Sequence, residues 1–513
     1  MSSMNLSKRS NKAYPFGYSN ILRSVYPASG NFAHHDLTIL GGVSKTAKSF
    51  NMDLSDDQCG RIVYPRDPHG ILISELPLMG HFVQRGEGLA PVLTFPVNRD
   101  HPIVARWREV AREIIAKLDN ARLKWAGVEC FQRRQLQQKR KNFDDTTVVI
   151  TLEKLPSSSF DKKKLLEDIH MLSGGLFVEL IEGRICPGYH YRELPPKTGY
   201  ELQPSMGASI GSIASSEVTG TLGGYVELFK AGAPDRICAL TCGHIGMAYE
   251  EDVSSDDDFT GPFTMIEDSP IPIGHPSFGD HNAMIEVYER GIKLYEDFER
   301  EQEKKVRVDS GNLRAIEALS YTRRMAAVYR QKLASAKDAD RNIGNLFAAS
   351  GYQVSESGCL LDWALIDLNP GRIGVNRCRE GFVQSVAPGF DSGSRVVKIG
   401  RSSDYTVGYL NGVESYLTFR NTQLEVTLAE WAVVAASTHP FCARGDSGSF
   451  VLNDADDLIG LLWGVRETGI SHRLDAGYIT PFREVAKHIQ EVTGYQVRLP
   501  KIDRPEEDGF NRL

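Results

Sequence analysis

The sequence predicts a mainly β protein: a barrel or sandwich domain over residues 205–495, interrupted by a helical hairpin and preceded by a small α+β domain. Three observations carry this prediction. After residue 205, short apolar and β-branched runs alternate with glycine-rich turns, the pattern of an all-β domain. Between about 283 and 340 the pattern changes to two long charged stretches with apolar residues at helical spacing. Ahead of 190, helical and β-branched stretches alternate over a length that suits one small domain. A chain of 513 residues exceeds one ordinary core, so several domains are expected.

Taken in order, residues 1–89 are polar and weakly periodic, and read as an irregular arm. The small α+β domain spans 90–190. A short strand at 91–96 precedes a helix on which Ile103, Trp107, Val110, Ile114 and Leu118 share one face. Strands follow at 125–131 and 146–152, then a helix at 161–173 and a strand at 177–181. The basic run 133–141 has acidic neighbours and no interleaved aromatics, so it reads as a solvated face rather than a nucleic-acid patch. This domain carries no reactive cluster and suits a scaffold, pro-domain or regulatory role. Residues 191–204 hold three prolines and read as a linker.

Within 205–495, strands are expected near 209–211, 220–229 and 236–241. An acidic loop at 250–258 lacks the spacing of a calcium loop. Two helices follow, roughly 283–306 and 312–339, with a break at Asp309-Ser-Gly311. Strands resume near 343–351 and 359–368, and again from 395 onward. A closing helix at about 481–493 starts on a proline and stops at Gly494. Residues 496–513 read as a C-terminal tail.

Composition narrows the function. The net charge of -7 gives no electrostatic case for nucleic acid. No apolar run reaches the length of a bilayer span, and the first residues lack the apolar core of a secretory signal. The eight cysteines are scattered without paired rhythm, which suits reduced thiols in an intracellular, cytoplasmic or nuclear setting. No metal site and no cofactor is expected.

The chemistry concentrates in three places. Gly445-Asp446-Ser447-Gly448 puts a serine between glycines that permit a tight turn and close approach of a substrate carbonyl. The amides of Gly445 and Ser447 are placed to meet an oxyanion. Read alone, the same residues also suit a plain surface turn. Thr241-Cys-Gly-His244 sets a histidine just past an apolar strand, where a barrel would present a general base. Asp362 sits between apolar residues at the mouth of a strand, and a carboxylate buried there needs a partner such as a histidine N–H.

His244, Asp362 and Ser447 occur in the chain order of the chymotrypsin type of triad. On the motifs Ala239-Leu-Thr-Cys-Gly-His244, Asp362-Trp-Ala-Leu-Ile366 and Gly445-Asp-Ser-Gly448, residues 205–495 resemble the trypsin-like serine peptidases. Lys398-Ile-Gly-Arg401 and Tyr478-Ile-Thr-Pro481 resemble intracellular fungal members, some of which carry an N-terminal pro-domain. The resemblance implies a chymotrypsin-like double Greek-key β-barrel. It implies Ser447 as nucleophile, His244 as general base then acid, Asp362 as the group orienting the imidazole, and Gly445 and Ser447 as the oxyanion hole. The 118-residue separation of His244 and Asp362 is far longer than in the template enzymes, and the helical insertion accounts for it. The resemblance also places Phe441 at the floor of the primary pocket and Leu462-Trp463-Gly464 along its wall. An aromatic floor without a carboxylate argues against basic side chains and for small or apolar ones.

These readings imply a serine endopeptidase acting through an acyl-enzyme on a peptide or protein substrate, without nucleic-acid or membrane partners. The chain's own N-terminal domain is a further candidate, as inhibitor or as substrate of a self-cut near 187–204. Two alternatives stand beside this: a silent peptidase-fold scaffold or binding module, and a cysteine nucleophile at Cys442 paired with His244.

Overall fold

The computed structural model describes residues 92–501, apart from 136–144, 157–160, 188–198, 214–217, 248–262, 265–269, 380, 390, 421–424, 437–439 and 469–472. The expected arm 1–89, the acidic loop, most of the linker and most of the basic run lie outside the described residues.

The first elements form an α+β layer. Strand β1 (Val92–Phe95) leads to helix α1 (Ile103–Asn120), strands β2 (Trp125–Gln135) and β3 (Thr146–Leu152), helix α2 (Lys162–Leu172) and strand β4 (Phe177–Pro187). Helix α1 buries Ile103, Trp107, Val110, Ala111, Ile114 and Leu118, the stripe its periodicity sets. Helix α2 starts at Asp161, whose carboxylate accepts from the Lys164 amide, a cap of about 1 kcal/mol. Both helices pack on β2, β3 and β4 in one core, joined by Val413 and Tyr416 from the far end of the chain.

The next part is one open sheet of short strands: β5 (Ser209–Ser212), β6 (Gly220–Thr221), β7 (Gly224–Phe229), β8 (Arg236–Thr241), the helical turn α3 (Gly243–Gly246), β9 (Phe263–Thr264) and β10 (Pro272–Gly274). The expected hairpin follows as α4 (Phe278–Val308) and α5 (Leu313–Asp338). Asn312, rather than the Asp309-Ser-Gly311 break itself, caps α5, its side chain accepting from Ala315 N. The helices meet on Tyr288, Tyr295 and Tyr329. Gly291 is required there, because a Cβ would lie 2.4 Å from the Tyr329 ring. The sheet resumes with β11 (Asn342–Ala349), the small pair β12 (Gln353–Val354) and β13 (Leu360–Leu361), and β14 (Ala364–Leu368).

After a minor pair, β15 (Arg377–Cys378) and β16 (Gly381–Phe382), come β17 (Arg395–Gly400), β18 (Asp404–Leu410), β19 (Ser415–Arg420), β20 (Glu425–Ala435), β21 (Phe450–Asn453), β22 (Leu458–Thr468), β23 (Arg473–Pro481), helix α6 (Phe482–Thr493) and β24 (Gln496–Arg498). Antiparallel pairings run round a ring: β17 to β18, β20, β23, β22, β21 and back to β17. The first sheet runs β24-β7-β8-β14-β11-β10-β5-β6. The mainly β architecture with its helical insertion is thus present. The expected tail begins with a strand, since β24 pairs with β7. Gly494 ends α6 with φ 73°, as the sequence indicated.

The α+β layer is not a separate body. Strand β2 pairs with β19, and β4 pairs with β22. Buried charge seals the junction. Arg466 meets Asp475 at 2.7 Å and also Glu129, while Arg133 meets Glu179 at 2.8 Å. Arg133, the first residue of the basic run, is therefore buried rather than solvated. Among the described residues, no helix is long and apolar enough to cross a membrane.

Candidate active site

The three expected catalytic residues lie outside the strands, in the segments that connect them. His244 lies in α3, directly after β8; Asp362 lies between β13 and β14; Ser447 lies in the loop joining β20 to β21. Strand β14 pairs with β8, matching Ala364 to Thr241, so Asp362 and His244 emerge side by side although distant in sequence.

The Asp362 carboxylate grips His244 twice. One oxygen accepts from the His244 amide at 2.9 Å, and the other meets the ring Nδ1 at 2.5 Å. Both side chains are almost fully buried. The double grip fixes the ring plane and leaves Nε2 as the nitrogen that faces away from the carboxylate. Gly243 is part of this design, since a Cβ there would fall 2.9 Å from the Asp362 Oδ1.

The Ser447 loop is pressed onto the His244 side. Gly448, at φ 95°, has Thr221 O and Thr241 Oγ1 each 2.3 Å from where a Cβ would be. Only glycine fits that approach. Thr221 holds the loop from both ends: its amide donates to Ser447 O at 2.9 Å and its hydroxyl to Gly445 O at 2.7 Å. The Leu462 carbonyl accepts from Gly448 N at 2.8 Å and from the Cys242 thiol at 3.3 Å. The serine loop and the histidine strand thereby converge on one acceptor. The Ser447 hydroxyl donates to Trp463 O at 2.7 Å. Gly445 adopts φ 94°, a conformation that turns the chain sharply just before the serine.

The expected pocket residues divide. Phe441 is buried, with its ring wedged between Gly408 and Gly477 and its carbonyl accepting from Thr406 Oγ1 at 2.6 Å. Leu462 is buried in the same cluster as Phe441. Trp463 stacks on Tyr478 at 5.9 Å. Gly464 is taken up by the chain itself, paired with Pro187 of β4.

Electrostatics decide one alternative. Burial pushes the Cys442 thiol well above its ordinary range, the nearby Lys398 charge only partly offsetting it. A thiol held neutral is a poor nucleophile, which counts against the cysteine alternative at Cys442. Sequence reasoning did not anticipate two further partners of the site. Lys398 reaches Asp446, the neighbour of Ser447, at 3.1 Å. Cys242 comes together with His244 and Asp362, but burial raises its thiol strongly and disfavours the thiolate a metal would need.

The family model described as Peptidase family S64 matches residues 365–498. Among solved structures, the chain is similar to Thermobifida fusca Protease A at 15% identity and TM-score 0.29, over 57% of this chain and 97% of that one. It is similar to a glutamic acid specific serine protease at 12% identity and TM-score 0.30, over 57% of this chain and 100% of that one. A third likeness is to Cellulomonas bogoriensis chymotrypsin, at 20% identity and TM-score 0.21, over 30% of this chain and 74% of that one.

Proposed function

We propose that this chain, a trypsin-like serine peptidase, is an endopeptidase whose nucleophile is Ser447. In this reading the hydroxyl turns from Trp463 O toward His244 Nε2, which takes its proton as the oxygen attacks a peptide carbonyl. The amides of Gly445 and Ser447 meet the developing oxyanion. His244 then returns the proton to the leaving amine, and an acyl-enzyme on Ser447 is hydrolysed by water activated in the same way. Asp362 never takes the proton; it orients the ring and stabilises the imidazolium. The observation that carries this reading is the double grip of Asp362 on His244 beside a serine turn that only glycines can form.

The test is labelling of the full chain with a rhodamine-tagged fluorophosphonate. Wild type should label and Ser447→Ala should not; an unlabelled but folded wild type would leave a silent scaffold as the better reading. Asp362→Asn should reduce the labelling rate by about four orders of magnitude, because the amide N–H facing Nδ1 holds the imidazole in the wrong tautomer.

A second reading adds self-processing, and the pairing of β4 with β22 favours it. Strand β4 ends at Pro187 opposite Gly464, two positions from the carbonyl that holds Gly448. In this reading the chain's own N-terminal part approaches the site along the edge expected to hold substrate. Incubated wild type should yield a new N-terminus within 188–204, and Ser447→Ala should stay full length. Identical bands in both would remove self-processing and leave the peptidase reading intact. The described cysteines are all free thiols, which supports an intracellular setting.

A further inference from the structure

We infer that Lys398 is a positioning residue for the nucleophile: its ammonium is the internal counter-charge that, through Asp446, holds the Ser447 loop in reacting geometry. The inference rests on reading Ser447 as the nucleophile.

Asp446 precedes Ser447 and its side chain points into the protein interior. Its exposure is 0%, and so is that of Lys398. A carboxylate removed from water that completely is sustained only by a cation and several donors, and this one has both. Lys398 Nζ lies 3.1 Å from Oδ2. Ser402 and Ser403 amides donate to Oδ1 at 2.8 and 3.1 Å. Ala443 N and Ser403 Oγ donate to Oδ2 at 2.8 and 2.5 Å. Lys398 also donates to Ser403 Oγ at 2.6 Å, so the hydroxyl is locked between the two charges. Burial opposes the Asp446 charge, yet Lys398 and these donors outweigh it and hold the carboxyl below the usual carboxylate range.

The geometry transmits this to the serine. The Ala443 amide and the Asp446 carboxylate close a ring across the turn, and the Asp446 amide donates back to Ala443 O at 3.1 Å. Residues 443–447 are thereby curled around one buried anion, and Ser447 sits on the next peptide bond. Without the cation the anion would swing toward water and take the turn with it.

The motif Lys398-Ile-Gly-Arg401 now has a physical account at three of its four residues. Lys398 supplies the charge. Gly400 makes room, since a Cβ there would lie 2.3 Å from Asp446 Oδ1 and 2.9 Å from Lys398 Nζ. Arg401 clamps Asp280 at the first turn of α4 with both arms of its guanidinium and donates its amide to Thr221 Oγ1 at 2.9 Å. Thr221 is the residue that pins Ser447 and Gly445. The motif therefore fixes the loop by charge from below and by Thr221 from the side.

Lys398 and Asp446 also lie on the same side of any cut in 188–204. The counter-charge is in place before a cut and is unchanged after it, so loop formation needs no charge supplied by a new chain end.

The test is labelling of the full chain by the same fluorophosphonate, in wild type, Lys398→Met, Asp446→Asn and the double variant, each checked by near-UV circular dichroism. Lys398→Met should lower the maximal labelling rate by about 100-fold while leaving the half-saturating probe concentration nearly unchanged, as loss of preorganised loop geometry does. Adding Asp446→Asn should recover about tenfold, because removing both charges leaves none buried and unpaired. Labelling of Lys398→Met at the wild-type rate overturns the inference, and so do losses that simply multiply in the double variant. If Lys398→Met fails to fold, the double variant decides: recovered labelling supports the pairing, and none overturns it. A wild type that does not label would instead sink the nucleophile reading.

Discussion

Gly448 and Gly445 carry the positive-φ conformations of the Ser447 turn, and Gly448 bears the tighter constraint. Substituting alanine at Gly448 adds backbone strain at φ 95° to a collision with Thr221 O and Thr241 Oγ1 at 2.3 Å. The loop must then lift away from His244, so Gly448→Ala should lose labelling by about 100-fold or more. Its thermal midpoint should fall far less, because the loop is a small part of the core. Titration at single residues has a definite sign as well. Burial lowers the His281 imidazole from 6.5 to about 4, while its Nδ1 lies 2.9 Å from the Tyr200 hydroxyl. A histidine whose folded value is depressed stabilises the fold above its unfolded value and loses that contribution as pH falls. The thermal midpoint of wild type should therefore drop between pH 6.5 and about 4, and His281→Gln should drop less over the same window. Equal slopes would show that His281 is not the titrating group.

Among elements, the buried and the exposed ion pairs are expected to differ sharply in worth. Arg466 is fully buried between Asp475 and Glu129. Burial already pushes the Glu129 carboxyl up, and the Arg466 charge is what most strongly opposes that rise. Arg466→Met takes the cation from Glu129 and leaves Asp475 only Arg133, at 3.6 Å, a loss of about 3–5 kcal/mol. Arg108→Ala removes an exposed pair with Glu414 at 2.8 Å and should cost under about 1 kcal/mol. Urea titration of both variants checks the contrast; similar midpoints would contradict it. The elements also show what a sequence makes legible. The hairpin was readable because Leu313 to Asp338 and its partner keep helical spacing over many turns. The expectations at His244 and Asp362 rest on motifs that adjoin apolar strands, and that at Ser447 on the turn glycines ahead of β21. Lys398 was not readable, since a lysine in an alternating strand reads as solvent-facing, and only the position of Asp446 reveals that it points inward. The joining of β2 to β19 and of β4 to β22 was not readable either. Pairing partners hundreds of residues apart leave no local signal, and each strand reads equally well in a free-standing sheet.

At the scale of the whole molecule, the division expected at the linker is not matched by separate packing of the described residues. The α+β layer shares its sheet with the second barrel, and Trp107 Nε1 donates across the junction to Glu414 O at 2.7 Å. Asn411 bridges it further, accepting from Val97 N at 2.9 Å and donating to Cys130 O at 3.0 Å. If the chain is cut within 188–204, the two pieces should therefore stay together through gel filtration, and part only in variants such as Arg466→Met that open the buried charge cluster. Separation of the wild-type pieces in buffer alone would mean that β4 and β22 contribute little.

The contact of Glu129 with Arg466 spans 337 positions of sequence, and this bears on the order in which the protein is made. When the N-terminal layer leaves the ribosome, the strands that complete its sheet have not been translated. It must wait with open edges and one unneutralised acid, Glu129, until residues near 415 and 466 arrive, whereas Glu179 already has Arg133 within the layer. Long-range pairing of this kind is slow to form, and a waiting sheet edge invites the wrong partner. The same exposed edges are a template, however. Strands β19 and β22 emerge late and find β2 and β4 already laid out, so the first-made layer acts as a mould on which the second barrel is cast.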